Sequence, residues 1–422
     1  MKTRSFLLST LAVFIFAGCS SEDAREGNIP GGELDGKAYL SLSLQSHTAT
    51  SRAVDTKPGS SGESKAGTVK VLLFDEDDVC LDVVGFDGLT VGNSGGADAG
   101  GAGTPEAAVS EAKLVPEKTK KVFVVINPYA DGNKGWNLTA DAVKGKPWSV
   151  INTAIEAAIA NIATNDNFMM ASAGKGTGIE GALKGVTVHK PTAYTSEAID
   201  QAKTAAQNSP EEISVDRLSA KVELAVNEPI TTKPDGAKFT FGGWELSVTN
   251  KSVKLYSELI TYDNATTGAV YRRDKNYLES EQPDVSDNNT KEANMDAAFN
   301  YLKNIKNVSE NISAVAQVDK ASLYCLENTM EAKAQQLGFT TKVVVKAQYT
   351  PAGITKDANY FSWKGAYYTL GELKAEYLKH ANGSGLKVDL PAFLIKAGIM
   401  TQAEFDEGQN KRDEIVANLS DD

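Results

Sequence analysis

Histidine and cysteine are scarce in this chain, which has three of each among its 422 residues. The histidines, His47, His189 and His380, lie far from one another and from Cys80 and Cys325, at none of the spacings typical of metal ligands or a catalytic triad. No segment singles out a pair of carboxylates for acid–base chemistry either. The sequence therefore predicts no catalytic residues, no metal site and no cofactor, and it disfavours a surface hydrolase.

The glycine-rich and acidic stretches lack the context that ligand binding needs. Residues 176–181 match the dinucleotide fingerprint by letter, but no buried parallel strand leads into them and no helix opens after them, so a hairpin loop is favoured. Residues 92–103 lack the lysine and hydroxyl of a phosphate loop. The acidic run at 75–78 lacks the glycine and terminal glutamate of a calcium loop, so it predicts a hairpin turn.

The chain also lacks an excess of basic residues and a cysteine framework. Its 43 basic and 55 acidic residues give a net charge of −12, which disfavours a nucleic-acid partner. Apart from Cys19, only Cys80 and Cys325 remain, and their wide separation excludes a disulfide scaffold. Two buried free thiols are favoured over the single bridge that an oxidising compartment would permit.

The amino-terminal residues have the organisation of an export signal. Lys2 and Arg4 precede an apolar stretch at 6–16, and the small residues Ala17-Gly18 then lead to Cys19. The apolar stretch is too short to span a bilayer as a helix. Residues 1–19 are thus predicted to be a lipoprotein signal, with lipid on Cys19 and an extracytoplasmic body; the alternative is an ordinary thiol beside a conventional cleavage site.

A strand with alternating apolar residues follows the polar tether at 20–36. Its apolar positions share one face of a strand because successive side chains point to opposite faces. The four residues are Ala38, Leu40, Leu42 and Leu44. Residues 47–64, rich in small polar residues, predict a loop that contains Arg52 and Ala53.

The rest of the chain predicts a mainly β protein with short helices and a domain boundary near residue 209. Apolar runs and alternation predict strands at 69–74, 79–84, 121–126, 168–170, 218–226, 239–241, 244–248 and 341–349. Helical spacing predicts helices at 149–164, 196–207, 294–305 and 330–337, and a polar helical stretch at 402–422.

Several of these segments together resemble the fimbrillins of Bacteroidales type V pili, especially the shaft subunit of the minor fimbrium. The resemblance covers most of residues 37–375 and rests on the order of the segments. They are the Cys19 lipobox, Ala38-Tyr39-Leu40-Ser41-Leu42-Ser43-Leu44, the arginine at 52, Gly67 to Phe74, Lys121 to Pro128, Phe168 to Met170, Arg217 to Val222, Leu326 to Met330 and Thr341 to Tyr349.

The resemblance implies two tandem transthyretin-like β-sandwiches, at 53–209 and 210–422, behind a tether and removable strand at 20–52. It implies an outer-membrane lipoprotein anchored through Cys19 and cut between Arg52 and Ala53 by an arginine-specific, trypsin-like protease, with Arg25 as a poorer site. The removed strand would be replaced by the C-terminal strand of the next subunit. The implied partners are copies of the same subunit together with anchor and tip proteins, and the implied outcome is an adhesive fimbrium.

One departure from the family and one alternative function remain open. Fimbrillins end in an apolar donor strand, whereas residues 402–422 are polar and residues 386–390 are short, so either the chain is cut short or the donor element differs. The alternative is a surface-anchored glycan-binding lipoprotein or tip adhesin. Its candidate aromatic residues are Trp136, Trp148 and the segment 363–368, although rings of this kind are more often core.

Overall fold

The structure is a computed structural model. It describes residues 34–46, 63, 65–93, 107–131, 134–164, 167–174, 181–225, 236–261, 270–272, 274, 293, 295–300, 322–330, 339–355 and 358–420. Over these residues the fold is mainly β. Two compact units are present, the first formed by 1–219, 252–282 and 329–331, and the second by 220–251, 283–328 and 332–422.

Twenty-six strands and eight complete helices lie within the described residues, which also include a short helical stretch at 295–298. The strands up to residue 217 are β1 (Lys37–Leu40), β2 (Leu42–Ser46), β3 (Val69–Phe74), β4 (Cys80–Gly85), β5 (Val91–Asn93), β6 (Lys113–Pro116), β7 (Lys121–Ile126), β8 (Ala130–Asp131), β9 (Lys134–Gly135), β10 (Ile155–Glu156), β11 (Ala163–Thr164), β12 (Asn167–Phe168), β13 (Met170–Ser172), β14 (Lys184–Gly185) and β15 (Glu211–Arg217). The later strands are β16 (Ser219–Glu223), β17 (Lys238–Ser247), β18 (Thr249–Asn250), β19 (Ser252–Val253), β20 (Leu259–Thr261), β21 (Val270–Arg272), β22 (Phe299–Asn300), β23 (Ser322–Leu326), β24 (Lys342–Thr350), β25 (Phe361–Trp363) and β26 (Ala366–Tyr368). The helices are α1 (Ala140–Val143), α2 (Trp148–Ile151), α3 (Ile159–Ile162), α4 (Ser196–Asn208), α5 (Leu370–Lys379), α6 (Leu386–Lys396), α7 (Gln402–Asp406) and α8 (Gln409–Ala417).

The first unit is built on one large mixed sheet. Its strand order is β4-β3-β7-β13-β15-β2-β5, and β14 also pairs with β7. Strand β2 runs parallel to both of its neighbours, whereas the other pairings in the sheet are antiparallel. Strand β1 pairs separately with β6, in antiparallel orientation. The amino-terminal segment therefore takes part in two sheets.

The nearly continuous apolar sequences of β3 and β7 explain why these two strands lie at the centre of the sheet. Strands covered on both faces lose the polar alternation of half-exposed strands, and both of these are buried along nearly all their length. The acidic run after β3 forms the turn into β4, where the Asp75 carboxylate accepts hydrogen bonds from the backbone N–H groups of Asp77 and Val79 at 3.0 and 2.9 Å. The predicted hairpin turn is confirmed.

The helix predicted at 149–164 is wrong as a single element. The structure has two short helices, α2 and α3, with strand β10 between them. Ile155 of β10 pairs with Val253 of β19, so a long-range strand pairing replaces helical hydrogen bonds in the middle of the segment. Tertiary contacts of this kind override local helical spacing. The helix predicted at 196–207 is confirmed as α4, whose amino terminus is capped by the Thr195 hydroxyl.

The first unit extends past the boundary predicted at residue 209. Strand β15 follows that point in sequence, yet it pairs with β13 and β2 of the first unit. In the second unit, β17 and β24 form a long antiparallel pair whose register shifts between Phe241 and Gly243. The two segments predicted on either side of Gly242-Gly243 are thus one strand with a bulge, because glycine readily adopts the distorted backbone that a bulge requires.

The second unit ends in four helices with a core of their own. That core is formed by Leu373, Tyr377, Leu386, Leu390, Leu394, Met400 and Val416. Helices α5 and α7 begin with reciprocal capping boxes, Thr369 with Glu372 and Thr401 with Glu404. The helical prediction for 402–422 is confirmed over α7 and α8. Residues 386–390, considered above as a donor strand, form the start of helix α6 instead.

Candidate functional site

The segment from Lys37 to Ser46 lies between other strands along its length. Residues 37–40 pair with Lys113–Pro116, and residues 42–46 pair with β15 on one side. On the other side, Leu44 to Ser46 pair with β5. We call the space that this segment fills, bounded by β15, β5, β6 and helix α4, the strand slot. A strand in this position provides hydrogen-bond partners for two neighbours, so its loss would leave both with open edges.

One face of the segment forms part of the main core of the first unit. Leu40, Leu42 and Leu44 are buried in a cluster with residues of β3, β7 and β15 such as Val71, Val124 and Ile213. Ala38, the fourth residue of the predicted apolar face, is also fully buried. Each leucine contributes roughly 1.5 to 3 kcal/mol by leaving water. The alternating pattern thus identified the residues that bind the segment to the sheet.

The opposite face is covered as well, by helix α4. The Tyr39 side chain packs against Ile199, Ala202 and Ala206 of α4. The Lys203 ammonium group lies 5.7 Å from the centre of the Tyr39 ring. Burial, with a smaller contribution from Asp200, raises the pKa of the Tyr39 hydroxyl above its ordinary value. Residues 38–44 of the segment are therefore buried on both faces.

The backbone crosses from one sheet to the other at Ser41. Leu42 donates its N–H to the Ser110 hydroxyl at 2.9 Å, and its carbonyl accepts the Ser110 N–H at 2.9 Å. The Ser41 carbonyl accepts the N–H of Glu211. The Ser41 side chain is 1% exposed, and within the part of the chain that the structure describes its hydroxyl has no hydrogen-bond partner.

The predicted lipidation and cleavage residues, Cys19, Arg52 and Ala53, lie outside the described residues. In sequence, Arg52 lies between Ser46, at the end of β2, and Glu63, the next described residue. A cut after Arg52 would therefore separate the whole segment from the chain that forms the rest of the sheet. Lipidation at Cys19 and cleavage between Arg52 and Ala53 stay predictions.

Cys80, Cys325 and His189 have structural roles in the described part of the chain. Cys80 and Cys325 are both free and buried, as predicted, and burial raises the pKa of each thiol to about 11. His189 contributes its backbone, which exchanges two hydrogen bonds of 2.8 Å with Tyr39. Among the described residues, no three histidine, cysteine or acidic side chains converge where they could hold a metal ion. None of the helices described there has the length and apolar character needed to cross a membrane.

The aromatic candidates divide into buried residues and an exposed group. Trp136 and Trp148 are buried, so the interpretation of these rings as core is confirmed. Trp363 packs against the helical core of the second unit, and its indole N–H donates to Asp389 at 2.9 Å. Its ring also lies 5.0 Å from the His380 ring and 4.6 Å from the Lys364 ammonium group. These contacts give Trp363 a packing role.

A cluster of three tyrosines lies on the other side of the hairpin that carries Trp363. The Tyr367 ring lies 5.8 Å from that of Tyr349 and 5.6 Å from that of Tyr360. Tyr360 is 40% exposed and Tyr367 is 37% exposed. We call these three residues the tyrosine cluster. The sequence pointed to Tyr367, within the candidate segment 363–368, but it gave no sign that Tyr349 of β24 and Tyr360 lie beside it.

The sequence contained one signal of the enclosed segment that alternation alone did not convey. Residues 38–46 carry no charged side chain on either face. A half-exposed strand usually has charged or strongly polar residues on its outer face, so their absence indicates cover on both sides. The identity of that cover, helix α4, could not be read from sequence spacing.

No family model and no curated protein matches the sequence. Among solved structures, a proposed cell adhesion protein from Parabacteroides distasonis is similar at 14% identity and a TM-score of 0.37, over 74% of this chain and 75% of that one. A fimbrial assembly protein from the same species has 14% identity and a TM-score of 0.29, over 77% and 88% of the two chains. The tip fimbrial protein of Porphyromonas gingivalis, truncated at its C-terminus, has 13% identity and a TM-score of 0.29, over 74% and 99%. These values are too low to assign a family.

Proposed function

We propose that this chain is a structural subunit of an adhesive fimbrium, built by exchange of its amino-terminal strand. The single observation that supports this most is the position of residues 37–46. They are paired with neighbouring strands, residues 38–44 among them are buried on both faces, and one arginine site, Arg52, follows them in sequence before the next described residue. A segment that completes the sheet of its own chain can be replaced by a similar strand of another chain.

The proposed sequence of events begins with export and lipidation at Cys19 on the outer membrane. An arginine-specific, trypsin-like protease then cuts between Arg52 and Ala53, which leaves the segment held only by non-covalent contacts. Its departure would expose the apolar cluster around Leu42 and the edge groups of β15 and β5. Open edges of this kind recruit another strand, so a strand from the next subunit would fill the slot and extend the polymer.

The proposal also includes membership of the type V fimbrillin family, two tandem transthyretin-like sandwiches, and anchor and tip proteins as further partners. The similar structures above are adhesion and fimbrial proteins of Bacteroidales, which agrees with a surface role for this chain. The proposal rests on the geometry of the slot and on the sequence resemblance.

The test is cleavage of the purified chain, lacking residues 1–19, by an arginine-specific protease. The products are separated on an unboiled denaturing gel, and the new amino terminus is sequenced. We expect Ala53 as the new terminus together with a ladder of oligomers. The matched control Arg52→Ala should remain monomeric, whereas Arg25→Ala should still form the ladder. Complete cleavage before Ala53 with monomers alone would refute polymerisation by this route.

A second candidate function, glycan binding, is favoured by the tyrosine cluster. Exposed aromatic rings can stack against the apolar faces of sugar rings while their hydroxyls hydrogen-bond. The net charge of −12 favours a neutral glycan over an acidic one. Binding of uncleaved monomer to a glycan array, abolished by Tyr367→Ala and unchanged by Tyr194→Ala, would support it. Tyr194 is a suitable control because it is an exposed tyrosine of the first unit. Trp363→Ala is a poorer test, since Trp363 packs against the helical core.

A further inference from the structure

The strand slot is more selective than an open sheet edge, because each residue of the segment meets a different environment. Leu40, Leu42 and Leu44 enter the aliphatic core, whereas Tyr39 enters the space against helix α4. At Ser41 the side chain is enclosed where the backbone passes from β6 to β15. Close packing leaves no room for extra methylene groups at such a point.

Ser41 is also the one position where the resident segment fits poorly. A buried hydroxyl loses its hydrogen bonds to water, and that loss is compensated only when it finds a partner in the protein. The Ser41 hydroxyl is buried and has no partner among the described residues, whereas the Ser110 hydroxyl nearby donates to the carbonyl of Glu111 at 2.9 Å. The resident segment therefore binds less tightly than a segment of the same shape without that hydroxyl.

We infer that the strand slot selects a replacing strand of defined pattern, with an aromatic residue at the position of Tyr39, aliphatic residues at those of Leu40, Leu42 and Leu44, and alanine or glycine at that of Ser41. The occupant is an extended segment of another fimbrial subunit. This rests on the proposed function, since it describes the partner that the emptied slot takes. The unpaired hydroxyl of the resident segment biases exchange toward such a partner.

Peptide displacement tests the pattern. The Arg25→Ala chain from Cys19 onward, in which the label stays joined to residues 37–46 after cleavage, is labelled with a fluorophore at Cys19, since Cys80 and Cys325 are buried, and is cut by an arginine-specific protease. Release of the labelled fragment is then followed by size exclusion as peptides of residues 37–46 are added, each with the same solubilising tail. The set comprises the natural sequence, Ser41→Ala, Ser41→Leu and Tyr39→Ala, with the reversed sequence as a control.

We expect the Ser41→Ala peptide to displace the fragment at a concentration about tenfold lower than the natural peptide. This ratio corresponds to roughly 1.4 kcal/mol, within the range for an unsatisfied buried hydroxyl. The Tyr39→Ala peptide should need at least about tenfold more, from loss of a buried ring. The Ser41→Leu peptide should fail. Displacement by Ser41→Leu as effective as by the natural peptide would overturn the inference and leave the proposed function standing. Failure of every peptide would count against the proposed function itself.

A second measurement examines the uncut chain and does not depend on exchange. Ser41→Ala should raise the denaturant midpoint of the first unit, because it removes an unpaired buried hydroxyl without creating a large cavity. Ser43→Ala is the matched control, since Ser43 lies two residues further on the same face and its hydroxyl is not among those left buried without a partner. A lower midpoint for Ser41→Ala would overturn the inference, whatever the peptides do.

Discussion

The amino-terminal segment at 37–46 and the four helices at 370–417 solve the same problem of burying apolar side chains in different ways. The segment contacts strands that are distant in sequence; Leu42, for example, bonds to Ser110, 68 residues away. The helices obtain their core from consecutive elements, and their longest polar contacts, such as Tyr377 with Asp413, span a few tens of residues. A segment held by distant neighbours leaves a hole when it is removed, whereas a locally closed helical unit has no such detachable part.

The largest expected effect on stability comes from a substitution in the amino-terminal segment. Leu42→Ala should destabilise the first unit by about 3 kcal/mol, because it removes a fully buried side chain and leaves a cavity. Urea unfolding followed by hydrogen exchange of peptides from each unit measures the change separately. The matched control is Leu378→Ala in helix α5, where the leucine is 68% exposed and little change is expected. Equal effects for the two variants would contradict the assignment of the segment as core.

The second-largest expected effect on stability comes from removing a polar contact of the helical unit. Lys387 is only 7% exposed, and its ammonium group lies 3.0 Å from the Asp413 carboxylate. Asp413→Asn should destabilise helices α5 to α8 by about 2 kcal/mol, because it leaves a buried charge without its partner, although partial exposure of Asp413 moderates the loss. Glu414→Gln, which removes an exposed partner of Lys411, is the control. Hydrogen exchange of α6 and α8 should show the loss while β2 and β15 keep their protection.

Low pH should destabilise the four helices through Asp413, whereas the amino-terminal segment has no such carboxylate. Burial tends to raise the pKa of Asp413, but hydrogen bonds from Gln409, Lys387 and Tyr377 outweigh it and hold that pKa below its ordinary value of 3.8. A depressed carboxyl pKa stabilises the fold above the ordinary value and loses this contribution as pH falls through the lower folded value. Residues 37–46 carry no carboxylate. Below about pH 4 the helices should therefore lose protection, and Asp413→Asn should reduce that loss without abolishing it, because hydrogen bonds also lower the pKa values of Glu372 and Glu404.

The smallest expected effect concerns a helix cap. The Thr369 side chain accepts the N–H of Glu372, and the Glu372 side chain accepts the N–H of Thr369, so two free donors at the start of α5 are satisfied. Thr369→Ala should cost about 1 kcal/mol, confined to the helical unit. Circular dichroism melting with Thr369→Ser as the conservative control measures it. A comparable loss in Thr369→Ser would show that the methyl group, and not the cap, is responsible.

Sequence patterns predicted the parts of this molecule that depend on short-range regularity. The strands at 69–74 and 121–126, helix α4 and the helical carboxyl-terminal stretch follow from apolar spacing within each segment. The failure at 149–164 has the opposite cause, because β10 exists only through its pairing with Val253. For the candidate site, the leucine face was predictable, but the enclosure of Tyr39 and Ser41 was not. That enclosure depends on α4 and β15, which lie about 160 residues further along the chain.

The most direct test of the central claim is hydrogen exchange in β15 after the segment has been removed. The chain is cut after Arg52, the fragment is washed away in mild denaturant, and the remaining body is refolded without it at high dilution. Only the fraction that size exclusion shows to be monomeric is measured, so that no strand of another subunit fills the slot. We expect the amides of Glu211–Arg217 that face β2 to lose protection and to regain it when the natural peptide of residues 37–46 is added, while β17 and β24 stay unchanged. Undiminished protection of β15 in the stripped chain would contradict the claim that residues 37–46 fill a replaceable position in the sheet.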